Sequence, residues 1–284
     1  MIEEKTVRVK LIVLTFSLTL ACARSEGEPL AKTYRAVQAS AAVREKGALA
    51  QMSSSRFMRD FGEVLGSVKG GFKESLSPRG LVHIGLGTGL ILATYSQDRR
   101  IQGYFKRNHP LRGTSRIGDV SGTILNSGFP GLGVYAAGRI GKNRELSELG
   151  KVMFASTLIK WWVTSGLIFT VRRERPEKKL SRFEGEKASF PSGHVAGGFA
   201  TATALNEFYG PRVGVPAYLF ATFVGLSRLE DNKHYASDVV GGALVGTIAA
   251  AAVSKAVRTR YTQLSATVAI EKSKPAGLSL TYHF

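Results

Sequence analysis

Cysteine is almost absent: Cys22 is the only one in 284 residues, so no intramolecular disulfide can form and stability must come from packing. The chain also lacks a charge-free apolar run of the ~20 residues that a comfortable membrane span requires. Its longest apolar stretch, Val152–Val171, is interrupted by Lys160. Acidic residues are scarce. Lys+Arg number 39 against 21 Asp+Glu, giving a formal charge of +18 and a pI of about 10.2. That excess suits an anionic partner, whether phosphate ester, anionic lipid or nucleic acid. The basic runs are not interleaved with aromatics as a stacking platform would be, which argues against nucleic acid. Apart from His234 and Asp238, no His, Cys and carboxylate side chains recur at ligand spacing, so neither a metal nor another cofactor is expected.

What is present divides the chain into four parts. Residues 1–23 read as an export signal: Lys5, Arg8 and Lys10, then the apolar run Leu11–Ala21, then Ala21-Cys22-Ala23 as a small-x-small cleavage site. Leu18-Thr19-Leu20-Ala21-Cys22 also has the outline of a lipoprotein box, which would make Cys22 a lipidation site. Residues 24–80 form a polar arm with apolar stripes at helical spacing, Leu30/Tyr34/Val37 and Phe57/Phe61/Val64/Val68. Residues 81–260 hold six apolar, Gly/Ala-rich segments at about 81–96, 120–138, 151–171, 194–208, 214–227 and 237–254, separated by polar loops. Their period is helical and none alternates, so the expected fold is all-α, a bundle of about six core helices. Residues 261–284 predict a short hairpin-like tail, with Ser265–Ile270 and Leu278–Phe284 as strands around Lys274-Pro275-Ala276-Gly277.

Three clusters carry chemistry. Arg172-Arg173-Glu174-Arg175-Pro176 closes one apolar segment and Phe190-Pro191-Ser192-Gly193-His194 opens the next. Ser227-Arg228 is followed by His234 and Asp238, before the last apolar segment. Guanidinium forks at Arg175 and Arg228 suit phosphate oxygens. Ser192 and Gly193 precede a helical run whose first N–H groups should face an anion. His234 and Asp238, four apart, share a helix face, so the carboxylate can hold the imidazole in one tautomer.

These clusters resemble the type-2 phosphatidic acid phosphatase superfamily, whose pattern is Lys-x6-Arg-Pro, Pro-Ser-Gly-His, then Ser-Arg-x5-His-x3-Asp. The second and third parts match in full at Pro191–His194 and Ser227–Asp238. The resemblance implies a helical bundle over roughly 81–255 and a metal-independent phosphatase acting on a phosphate monoester or pyrophosphate. It assigns His234 as nucleophile, Asp238 as its orienting carboxylate and His194 as acid/base. Arg175, Ser192, Gly193 and Arg228 would then bind the phosphoryl oxygens. A phosphorylated lipid or small phosphate ester is the implied substrate, in a periplasmic or membrane-associated setting.

One position departs from the pattern: Ile168 stands where the family has Lys. On a continuous helix Ile168, Arg172 and Arg175 would share a face, so Arg172 is expected to supply the missing cation. Lys160 is two turns back and off that face. Two rival readings use the same pocket: a vanadium-dependent haloperoxidase, and a non-catalytic phospholipid-binding envelope protein with an impaired site. Because the apolar segments are short, the core is expected not to span the bilayer fully.

Overall fold

The computed structural model describes residues 54–177 and 188–272, with side chains from residue 58 to residue 261. Nine helices occur among these residues: α1 (Ser54–Ser75), α2 (Pro78–Tyr95), α3 (Asp98–Asn108), α4 (Ser115–Asn126), α5 (Phe129–Ile140), α6 (Arg144–Val171), α7 (Gly193–Tyr209), α8 (Pro211–Glu230) and α9 (Ala236–Lys272). No strand occurs among them; Glu174 and Ala188 form an isolated antiparallel bridge. The all-α expectation holds. The expected export signal, the Cys22 lipidation box and the first apolar stripe of the arm lie outside the described residues.

Local sequence sets the helix boundaries. Ser77 caps α2 by accepting from the Gly80 amide at 3.2 Å, with Pro78 at the first helical position. Asn143 caps α6 through the Leu146 amide at 3.0 Å. The segment expected at 120–138 is broken in two, because Gly128 takes φ 83° and Pro130 opens a new helix there. Residues 98–108, read as part of a polar loop, form α3: Ile101, Tyr104 and Phe105 make a narrow apolar stripe that packs on Leu229 and Ala236. Ser265–Ile270, expected to be a strand, continue α9, while Leu278–Phe284 lie outside the described residues.

The core is built where α6, α7 and α9 meet. Val152, Ala155 and Ile159 of α6 pack with Ala204 and Phe208 of α7, Ala249 and Val253 of α9, and Val64 of α1. Burial of each larger apolar side chain contributes on the order of 1.5–3 kcal/mol. Helices α7 and α9 approach closely because Gly242 and Gly246 carry no side chain. A methyl group on either would run into the Ser192 and Ala196 carbonyl oxygens.

The outer wall is apolar as well. Leu92 on α2, Val120 and Ile124 on α4, Ile140 on α5, Trp162 and Phe169 on α6 and Leu219 on α8 are all exposed, Trp162 at 73%. Helix α6, at 28 residues, and Ala236–Tyr261 of α9, at 26, are long and apolar enough to cross a membrane. A bent pair, Met58–Ser75 with Pro78–Tyr95, passes the same test as a unit. Two of the apolar segments expected to be short thus lie in helices whose length and composition would allow a crossing.

Candidate active site

The C-terminal ends of α6 and α8 and the N-terminal ends of α7 and α9 meet at one end of the bundle. A short crossing closes it: Ser189 N–H donates to the Arg173 carbonyl at 2.7 Å, and Arg175 Nε to the Ala188 carbonyl at 3.1 Å. Between α8 and α9 the chain reverses at Asn232, φ 54°, and the Lys233 amide returns to the Arg228 carbonyl at 3.1 Å. This turn brings His234 back beside the arginine six positions earlier.

His234 is 4% exposed and Asp238 fully buried. His234 Nδ1 lies 2.7 Å from the Ser189 carbonyl oxygen, which can only accept, so Nδ1 carries the proton and Nε2 holds the free lone pair. The Asp238 carboxylate is 3.8 Å from Nδ1, within Coulombic but not hydrogen-bond reach. The sequence assigned the orienting bond to Asp238; a backbone carbonyl makes it instead. Asp238 Oδ2 accepts from the Tyr235 amide at 2.8 Å, a bond that closes the first turn of α9. Burial lowers the pKa of His234, as do Arg228 and Arg175, while Asp238 opposes the shift, so the neutral imidazole is favoured.

Asp238 has a partner that sequence reasoning missed. Arg173 Nη1 donates to Asp238 Oδ1 at 2.7 Å and to Ser237 Oγ at 2.6 Å, while Nη2 donates to the buried Asp98 of α3 at 2.7 Å. Its guanidinium lies between the rings of Tyr95 and Tyr235, 4.9 and 4.1 Å from their centroids. Burial opposes its charge, but Asp238 and Asp98 prevail and raise its pKa further. Asp98 also accepts from the Ser237 amide at 2.8 Å. The result is a closed network of three charges joining α3, the end of α6 and α9.

Arg172, expected to replace the missing lysine, is not brought into this cluster. Helix α6 ends at Val171, Arg172 takes φ 48°, and its Nε bonds back to the Phe169 carbonyl at 3.0 Å. It is exposed. The shared helix face of Ile168, Arg172 and Arg175 therefore does not exist. Lys160 is fully buried and is also otherwise engaged. Its ammonium caps the C-terminus of α4 through the Asn126 carbonyl at 2.9 Å and Oδ1 at 2.6 Å, and Trp161 Nε1 donates to the same carbonyl.

The oxyanion-binding features are open. Ser192 is the N-cap of α7 but makes no capping bond, and its buried hydroxyl has no partner among the described residues. Its amide, expected to face an anion, donates instead to the Asp238 carbonyl at 3.0 Å. The N–H groups of Gly193 and His194 fall in the first turn, where no intrahelical acceptor exists. Arg228, 4% exposed, leaves Nε without a partner among the described residues, while its Nη1 bonds to Asp119 of α4. His194 lies in this recess, its Nε2 3.0 Å from Thr123 Oγ1 and 3.5 Å from Asp119 Oδ1. A side chain at Gly122 would stand 2.9 Å from the His194 ring, so this glycine lets α4 reach the histidine. Burial, Arg228, His234 and Arg175 together lower the His194 pKa to about 3, with Asp119 opposing them.

Two imidazoles, two arginines, an uncommitted serine hydroxyl and a helix N-terminus thus converge. Such a set can bind a tetrahedral oxyanion, offer a nitrogen lone pair to it and move a proton. Asp98, Ser189, Asp119 and Thr123 belong to it although no motif marks them, and Arg173 belongs to it although the sequence, which places it in the first cluster, gave it no role.

The segment that builds this site is similar to known proteins. Residues 150–262 match the model of the PAP2 superfamily. A lipid A 1-phosphatase of Porphyromonas gingivalis is 48% identical over 63 residues, 21% of this chain and 14% of that protein. Lipid phosphate phosphatase 1 of Arabidopsis thaliana is 37% identical over 82 residues, 24% of this chain and 25% of that protein. Undecaprenyl-diphosphatase BcrC of Bacillus subtilis is 38% identical over 61 residues, 22% of this chain and 31% of that protein. The similarity therefore spans less than a third of each relative's length. No solved structure matches the chain. The matched segment runs from α6 through most of α9 and contains all three motif clusters, so the similarity to the PAP2 superfamily lies in the part of the chain that builds the site.

Proposed function

We propose that this protein is a membrane-associated phosphatase that hydrolyses a lipid phosphate or lipid pyrophosphate through a phosphohistidine. One observation carries the reading. Ser192 Oγ and Arg228 Nε are both buried without partners among the described residues, and both belong to motifs that also contain the two imidazoles. An unpaired buried donor costs about 1–3 kcal/mol, more when charged, and a phosphoryl group would recover that cost. The apolar outer wall supports a lipid setting, and three relatives whose names specify lipid or prenyl phosphates support the substrate class.

In this mechanism Arg175, Arg228, the Ser192 hydroxyl and the first amides of α7 hold the non-bridging oxygens. The His234 Nε2 lone pair forms the N–P bond as the P–O bond to the leaving group breaks, and His194 gives that oxygen a proton. Water then attacks phosphorus, passing a proton to His194 as the N–P bond breaks, which releases phosphate and restores both histidines. The Ser189 carbonyl holds Nδ1–H, so Nε2 is the attacking atom.

The full chain in detergent should release phosphate from phosphatidate, a polyprenyl diphosphate or a lipid A 1-phosphate in excess EDTA, and vanadate should inhibit. Failure to hydrolyse all of these and a soluble aryl phosphate, or activity only after a metal is restored, would overturn the reading.

A further inference from the structure

Asp119 is a carboxylate in contact with Arg228 and His194 that no motif accounts for. It sits on α4, two turns before that helix ends at Asn126, and meets Arg228 of α8. It makes two contacts. Oδ1 accepts from Arg228 Nη1 and stands 3.5 Å from His194 Nε2. The backbone of the same residue matters too, since the Thr123 hydroxyl donates its proton to the Asp119 carbonyl at 3.0 Å. Having spent that proton, Thr123 Oγ1 can only accept from His194 Nε2, 3.0 Å away, so Nε2 carries a hydrogen. One turn of α4 therefore fixes the tautomer of the ring and places a carboxylate against it.

The charges around His194 make this carboxylate necessary. Arg228 faces the ring from α8, Arg175 from the segment after α6, and His234 from the turn before α9; all three disfavour a proton on it. Among the described residues, Asp119 from α4 is the neighbour that favours it. An acid that protonates an alkoxide must first be protonated, and in this cage that step needs a counter-charge.

We infer that Asp119 is the positioning residue that supplies the His194 imidazolium with its counter-charge and, through Thr123, with its ring orientation during proton transfer to the leaving oxygen. The inference rests on the phosphatase reading and deepens it. Arg228 links the carboxylate to substrate binding. In the free protein Asp119 Oδ1 is shared between Arg228 and His194; a phosphoryl group that recruits the Arg228 fork leaves the carboxylate to the imidazole. Phosphate binding thereby charges the acid, and the leaving group is protonated only when a substrate is in place. A good leaving group, such as a phenolate, needs no such proton, whereas an alkyl alkoxide does.

The test separates leaving groups. In full-length Asp119→Asn, kcat on an alkyl phosphate should fall roughly 10–10²-fold, part of the 10²–10⁴-fold that a general acid contributes. On p-nitrophenyl phosphate it should change by less than about threefold, and the alkaline limb of the alkyl-ester profile should move to lower pH. Asp119→Glu, which keeps the charge, should recover part of the alkyl-ester loss. Equal losses on both esters, or none on either, would overturn the inference. If wild-type protein cleaves neither ester the phosphatase reading itself fails. The His194 titration, followed by NMR with inorganic phosphate bound, still decides the inference: a lower midpoint in Asp119→Asn supports it, and an unchanged midpoint sinks it.

Discussion

Two clusters of buried charge lie about 30 Å apart along α6 and are built to opposite ends. At the early part of the helix, Lys151 sits among Glu148 at 2.6 Å, Glu63 and, at 3.8 Å, Asp60. Tyr261 donates to Glu148 at 2.6 Å and Tyr135 to Asp60 at 2.7 Å. There the acids surround the cation, and the bonds tie α1, α5, α6 and α9 together. Beyond the other end of α6 the balance reverses: Arg175, Arg228 and a helix N-terminus gather around two neutral imidazoles, with Ser192 Oγ and Arg228 Nε left unpaired among the described residues. The first cluster is closed and serves stability. The second carries unmet bonding capacity, as a protein does where a ligand is to complete the set. Arg173, between Asp98 and Asp238, is a closed cluster beside the open one, and it makes that openness sustainable.

The comparison can be broken most severely at the proposed nucleophile. His234→Gln should abolish phosphate release, a loss of the order of 10⁴-fold or more, with the thermal transition little changed. Next comes Arg173→Ala, which leaves two buried carboxylates uncompensated. It should cost about 3–5 kcal/mol in denaturant unfolding and lose most activity, whereas Arg173→Lys should keep part of both. Ser192→Ala should separate the two roles: a roughly 10–10²-fold loss in kcat/KM with stability unchanged or slightly raised, because an unpaired buried hydroxyl is removed. Tyr261→Phe is its mirror image, costing about 1 kcal/mol of stability by removing a bond to Glu148 while kcat/KM stays at the wild-type value. The smallest effect belongs to Arg172→Ala. Exposed and bonded to its own helix, it should change both quantities by less than a factor of two in the same assays, and a large loss of kcat/KM there would restore the expected lysine substitution.

The motif clusters were legible because each catalytic type sits at a helix mouth with fixed spacing, and the bundle because its apolar segments carry a helical period. Other features depend on where helices stop. Arg172 and Arg173 could be told apart only by knowing that α6 ends at Val171 and that the next residue turns left-handed. Had the helix continued, the roles assigned from periodicity would have followed. The break at Gly128-Phe129-Pro130 was visible as Gly and Pro punctuation, yet the apolar run across it concealed the end of α4. Asp98 and Asp119 carry no local signal: one is bonded 75 residues away and the other 109, and tertiary contact alone gives them meaning. At Ser265–Ile270 the β-branched and apolar residues suggested a strand, but continuity with α9 overrides that propensity.

The Asp98–Arg173–Asp238 network also bears on the order in which the molecule is made. Its members lie 75 and 65 residues apart, so closing it costs chain entropy that nearby contacts must already have offset. Asp238 stands at the start of the last described helix, and during synthesis it emerges after every other part of the cage. A nascent chain that already holds α3, α6 and α7 has Ser192 and His194 in place but neither His234 nor the acid that completes the Arg173 network. The cage is therefore completed late, and a chain interrupted before His234 carries binding groups without the proposed nucleophile.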